Sequence, residues 1–116
     1  CNGTVVGVRA TTMGFYVAMR DLGQMTWSEA NSQCQSYDFC GIARGTLPTK
    51  NQLLSIYQNK SRVNSLLSTN GGTKMTEGWY WSSTSYGPSK YIMNMSNGNV
   101  SDNIYSYYVR PVLGFY

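Results

Sequence analysis

Two short segments constrain this chain more than any others: Thr26-Trp-Ser-Glu29 and Thr49-Lys-Asn-Gln52. Each has the spacing at which a Thr hydroxyl and a Glu or Gln side chain three residues on satisfy each other's orphan backbone donors, and so marks where a helix begins. Behind the first, Trp27, Ala30, Cys34 and Tyr37 recur at helical spacing and form one apolar stripe of about three turns. Behind the second, Leu53, Leu54, Ile56 and Tyr57 supply a buried face, and Pro48 keeps Leu47 extended so that the helix cannot start earlier. Ser61 to Thr69 reads as a short third helix, ended by Asn70-Gly71-Gly72.

The rest of the chain is written for strands. Phe15 to Met19 is β-favouring and closes in a turn at Leu22-Gly23. From Trp79 onward, GWYWSST is aromatic, and YIMNMSNGNVS holds Asn97-Gly98, a pair that predicts a two-residue type I′ hairpin turn. In the first arm of that hairpin Tyr91, Met93 and Met95 alternate with Ile92, Asn94 and Ser96, and the first set is the expected core face. YYVRPVLGFY reads as one closing strand in which Pro111 forces a bulge or an edge position. Helices come first and strands last, so the class is α+β, with a single domain over residues 1–116. Residues 1–13 are left open as the end of an upstream linker or domain. At 116 residues one core is expected.

Charge and cysteine usage exclude several functions. The nine basic residues, Arg9, Arg20, Arg44, Lys50, Lys60, Arg62, Lys74, Lys90 and Arg110, are scattered singly and leave a net charge of +4, so no nucleic-acid footprint is expected. Arg110, inside an apolar run, reads as a structural ion pair or backbone clamp. No apolar run is long enough to span a membrane, so no membrane insertion is expected. The chain opens on Cys1 rather than Met and reads as a mature or excised fragment, a reading that leaves removal of a secretion signal open. Three cysteines cannot all pair within it. Two readings stay open: a bridge between Cys34 and Cys40 that leaves Cys1 over, or three free thiols with Cys34 a buried helix residue.

There is no His, and the cysteine spacings miss the zinc patterns, so no metal site is expected. The five acids, Asp21, Glu29, Asp38, Glu77 and Asp102, include no pair at a spacing that fixes a catalytic dyad, and no Gly-rich phosphate loop is present. The expectation is a protein that is not an enzyme and takes no cofactor. Binding has a positive argument: between Ser82 and Tyr107, 17 of 26 residues are Ser, Tyr, Asn or Gly. That is the palette of antibody loops, in which Tyr gives rigid contact area and the small polar residues adapt. Trp79 and Trp81, sharing a face if extended, read as core anchors ahead of a stacking platform for sugars.

Taken in order, TWSEANSQC, GTLPTKNQLLSIY, GWYWSST, NMSNGNV and YYVRPVLGFY resemble the C-type-lectin-like domains found at the C terminus of bacterial collagen-like surface adhesins, over about Gly14 to Tyr116. The resemblance implies a C-type-lectin-like fold in which two main helices flank a twisted antiparallel sheet, the N- and C-terminal strands pair, and a long polar region carries binding. The segment from Ser82 onward looks more particularly like the variable proteins of diversity-generating retroelements. Positions fitting that pattern, and expected to bind ligand, are Tyr86, Gly87, Ser89, Ile92, Asn94, Ser101, Asp102, Asn103, Tyr105, Ser106 and Tyr107. The EPN, QPD and WND triplets with which animal lectins hold calcium and sugar are absent, so calcium-dependent sugar binding is not expected. Formylglycine-generating enzymes share the LPT-helix motif only, and their cysteine pair near the C-terminal end is missing.

The resulting expectation is a ligand-recognition domain at a bacterial surface, secreted, or on a phage particle, whose partner is a host or bacterial surface protein or glycan. A charge-driven binder of sulfated glycans, from a pI of 9.1, and a structural pilus or fibre module, from Cys1, are the alternatives.

Overall fold

The computed structural model describes residues 3–114. In chain order these form β1 (Gly7–Val8), β2 (Phe15–Ala18), β3 (Gln24–Met25), α1 (Trp27–Ser36), α2 (Lys50–Gln58), α3 (Lys60–Thr69), β4 (Trp79–Tyr86), β5 (Ser89–Asn94), β6 (Val100–Ser101), β7 (Tyr107–Tyr108) and β8 (Val112–Gly114). The class is α+β, with three helices and two sheets. One sheet has the order β1-β2-β8, so an early strand pairs antiparallel with the last one; the other has the order β3-β7-β4-β5-β6. No helix among the described residues is long and apolar enough to cross a membrane.

Both capping boxes form. Thr26 accepts from the Glu29 N–H while Glu29 accepts from the Thr26 N–H, and Thr49 and Gln52 do the same. The two helices pack on opposite sides of the larger sheet through their buried faces. Tyr80 pairs with Met93 and both face a first core, built with Leu53 and Ile56 of α2, Val63 and Leu67 of α3, and Phe15, Val17 and Val112 of the smaller sheet. Trp81 pairs with Ile92 and both face a second core with Ala30 and Cys34 of α1, Leu47 and Val109. The single expected core is therefore two, because β4 and β5 carry apolar residues at successive positions and both faces are covered. Leu54, expected on the buried face of α2, is exposed. Val8, Ala10 and Met13 belong to the first core.

Two strand expectations are corrected. The turn after β5 is not a two-residue type I′ turn: Asn94 N–H donates to the Asn99 carbonyl (2.8 Å), Gly98 N–H donates back to the Asn94 carbonyl (2.7 Å), and four residues lie between. Gly98 takes φ +77° while Asn97 stays at negative φ and accepts from the Asn99 N–H through its side chain. The reason is Met95, fully buried and bonded through its N–H to the Gly78 carbonyl, which draws the chain out of the ladder. The closing run also divides. Tyr107–Tyr108 pairs in the larger sheet and Val112–Gly114 in the smaller, with Arg110 and Pro111 crossing between. Pro111 has no N–H to give a ladder, and its carbonyl accepts from Ala18 instead. Phe115 and Tyr116, read as part of this strand, lie outside the described residues.

The crossing is tied down by Arg110. Its Nε donates to Asp21 Oδ1 (2.8 Å), one terminal nitrogen donates to the Ala18 and Thr73 carbonyls, and the other donates to Thr73 Oγ1 and the Lys74 carbonyl. Asp21 also accepts from Tyr80 and Thr76 hydroxyls. Burial, and then the Asp21 charge, push the Tyr80 phenol well above its ordinary pKa. Arg110 is thus the ion pair and backbone clamp its sequence context predicts.

The Cys34–Cys40 bridge does not form. Cys34 is a free, fully buried thiol in the second core, its pKa pushed up to about 12 by burial, whereas Cys40 is disulfide-bonded. The helical stripe turns Cys34 inward, and Cys40 lies beyond the helix at φ +55°. Cys1 lies outside the described residues.

Candidate functional site

The LPT and WSST motifs meet at one joint. Between Trp81 and Ser85 strand β4 bulges, with three residues facing Tyr91 alone. The bulge uses its freed groups on both helices: Ser83 N–H donates to the Pro48 carbonyl (2.8 Å), Thr84 Oγ1 accepts from Lys50 N–H (2.8 Å), and the Ser82 carbonyl accepts from Trp27 Nε1 (2.9 Å). Ser82 Oγ donates to the Tyr91 carbonyl and accepts from Thr84 N–H. Bulges re-aim strands and sharpen their twist. Here the result is a β4–β5 hairpin whose tip is anchored at its base and exposed at Ser85, Tyr86, Gly87 and Pro88. Gly87 at φ +57° followed by Pro88 has the sequence and sign of a type II′ turn.

Beside this hairpin lies a shallow groove of about 300 Å³ lined by Trp27, Trp81, Pro88, Ser89, Lys90 and Ile104. Lys90 Nζ sits 4.4 Å from the centre of the Trp27 ring and donates to Ser85 Oγ at 2.9 Å. Trp81 is locked by donating Nε1–H to the Met25 carbonyl (2.7 Å) and by an edge contact with Tyr107, their ring centres 4.9 Å apart. It is a core anchor, with no exposed face for sugar stacking. Ile104 and Tyr105 stand out from the loop between β6 and β7, 75% and 72% exposed. Tyr105 meets Tyr107 edge-on at 6.4 Å. Burial, with Tyr105 adding to it, raises the Tyr107 pKa.

The eleven sequence-predicted positions divide. Ser89, Tyr105 and Tyr107 come together around the groove, and Asn103 and Ser106 are exposed in the same loop, with Ser101 and Asp102 half-buried at its start. Tyr86 and Gly87 form the hairpin tip, but Tyr86 leans to the other face, its ring tilted 55° against Tyr91 with centres 5.2 Å apart, where Lys50 Nζ lies 4.2 Å from the Tyr91 ring centre. Ile92 is not on the surface: it is 1% exposed, facing the second core beside Trp81. Asn94 is spent inside the turn, where its Oδ1 accepts from Ser96 N–H and Oγ. Sequence reasoning did not select Trp27, Pro88, Lys90 and Ile104. Ile104 carried a signal, as an apolar residue alone in the polar run SDNIYS; Trp27 carried none, since its helical spacing reads as core.

In fold, the chain is similar to part of the Yersinia pseudotuberculosis adhesin InvE, with a TM-score of 0.56 at 19% identity over 93% of this chain and 34% of that one. The chain therefore spans about a third of the structure it matches. No protein-family model and no curated protein matches the sequence.

Proposed function

We infer that this chain is a non-enzymatic recognition domain of a bacterial surface adhesin, with a C-type-lectin-like topology, binding an external protein or glycan through the groove beside the β4–β5 hairpin. The observation that carries the reading is the exposure of Ile104 and Tyr105 next to that groove. Large apolar side chains displayed on a rigid frame cost solvation and signal a contact surface. The fold likeness to an adhesin supports it, and so do the carboxylates. Asp21 is held by Arg110, Glu29 by its cap, Asp38 by the Gly41 N–H and Glu77 by Lys60, which leaves little acid chemistry to arrange. The pairing of β2 with β8 and the LPT–WSST joint support the lectin-like frame.

Retroelement diversification and display on a cell surface or phage particle complete the reading. Tyr86, Asn103, Tyr105 and Ser106, all exposed, are positions where such variation leaves the fold intact; Ile92, buried, and Gly87, at φ +57° in the hairpin turn, are not. A neighbouring reverse transcriptase gene with a near-identical template repeat is the test of that part.

The site is tested by scoring wild type, Ile104→Asp and Tyr105→Ala on a panel of cells, surface proteins and glycans. Both variants should keep the wild-type Tm and lose binding by about tenfold or more, as truncated contact residues do. Binding equal to wild type in both would remove the site. Tyr107→Ala is unsuitable, because Tyr107 braces Trp81.

A further inference from the structure

We propose that the groove takes the acidic end of a saccharide, with a carboxylate or sulfate on Lys90 and the apolar face of the sugar against Ile104 and Pro88. This rests on the recognition reading above and names the ligand class for it.

Three observations carry it. First, Lys90 has charge to give. Among the described residues the ion pairs are Lys60–Glu77 and Arg110–Asp21, so Lys90 is in neither. Its ammonium is positioned by the Trp27 ring and one hydrogen bond to Ser85, which uses one of three donors. An ammonium held over an indole is partly desolvated and preorganised, and the remaining N–H groups suit an anionic acceptor. Second, no acid lines the groove: from Ser82 to Tyr107 the one carboxylate is Asp102, and the nearest acid in sequence to Trp27, Glu29, is engaged by the Thr26 cap. Third, the groove is small. At about 300 Å³ it lies at the lower end of small-ligand sites, a volume that suits one or two sugar rings. Pro88 and the exposed Ile104 offer apolar surface for the C–H face of a pyranose, while Ser89 in the lining and Ser85, bonded to Lys90, supply hydroxyls for its polar edge.

The experiment is an NMR titration of the domain with 3′-sialyllactose, 3′-sulfolactose and lactose, at low and high salt, for wild type, Lys90→Met and Arg62→Met. Met keeps an unbranched stem over Trp27 and removes the charge. Arg62 is an exposed cation on α3. The expected result is a shift of the Trp27 indole N–H with both acidic sugars and affinity that falls as salt rises. Lactose should bind weakly, Lys90→Met should lose about tenfold in affinity, and Arg62→Met should stay within about twofold. Equal affinity for lactose, or equal losses in the two variants, would overturn the proposal. Silence toward all three sugars, with Lys90-dependent binding of poly-glutamate, would reassign the groove to an acidic protein. If no sugar binds while Ile104→Asp still abolishes cell binding, the saccharide proposal falls and the recognition reading stands. If acidic sugars bind but Ile104→Asp and Tyr105→Ala adhere normally, the adhesive site lies elsewhere.

Discussion

Replacing Arg110 by Met removes the charge and all five donors while nearly conserving length. Arg110 is 1% exposed, and each of its donor contacts ends on a named acceptor: Asp21, the carbonyls of Ala18, Thr73 and Lys74, and the Thr73 hydroxyl. The variant leaves Asp21 without its cation and three carbonyls without this donor. Breaking one side of a buried ion pair costs roughly 3–5 kcal/mol. Asp21 keeps its bonds from Tyr80 and Thr76, and its side chain is 16% accessible, so water can take up part of the loss. The lower half of that range is therefore expected.

At about 2.1 cal/mol/K of unfolding entropy per residue, this chain loses about 4 °C of Tm per kcal/mol, so a fall of roughly 12–16 °C is expected. Arg110→Lys, with three donors for five contacts, should fall between. Removing the partner as well, in Arg110→Met with Asp21→Leu, should recover part of the loss, because no uncompensated charge is left. Thermal unfolding followed by circular dichroism measures all three. A fall of less than about 4 °C for Arg110→Met would refute the reasoning, since it would mean that the clamp between the two sheets contributes no more than a surface pair.

Other outcomes follow from single positions. Gly98→Ala must hold φ +77° with its Cβ about 2.8 Å from the Tyr57 ring, and should lower stability by roughly 1–3 kcal/mol; an unchanged denaturation midpoint would deny that strain. The Cys34 thiol, held near pKa 12 by burial, should resist iodoacetamide at pH 8 in the native protein and react once unfolded, as read by mass mapping. Glu29 is held below its ordinary 4.5 first by the Thr26 hydroxyl and then by its backbone. Its folded pKa is depressed, so its contribution is complete above about pH 4.5 and is lost as pH falls through the folded value. Glu29→Gln keeps the cap, and its Tm difference from wild type should shrink between pH 6 and pH 3; a constant difference would show that the cap carries no linkage.

The starts of both main helices were legible in the sequence because a capping box involves residues three apart and is complete in the local chain. The strand at Phe15, the third helix and the place of Gly98 in a turn were legible for the same reason. The candidate site was legible as a composition but not as a set of residues. Counting Tyr, Ser, Asn and Gly pointed to the stretch that supplies the β4–β5 hairpin and the exposed loop after β6. It could not separate Ile92, sealed under α1, from Ile104, left in solvent.

The sequence by itself thus determined what depends on neighbours within a few positions: helix caps, periodic faces, the α+β class and a paratope-like tail. Tertiary structure alone decided what depends on groups far apart in the chain. It covered both faces of β5, took Cys34 out of disulfide chemistry, and sent Pro111 from one sheet to the other. It also set Lys90 over Trp27, 63 positions away in the chain. Alternation says which side chains share a face, but the free energy of exposing that face is fixed only when another element does or does not cover it.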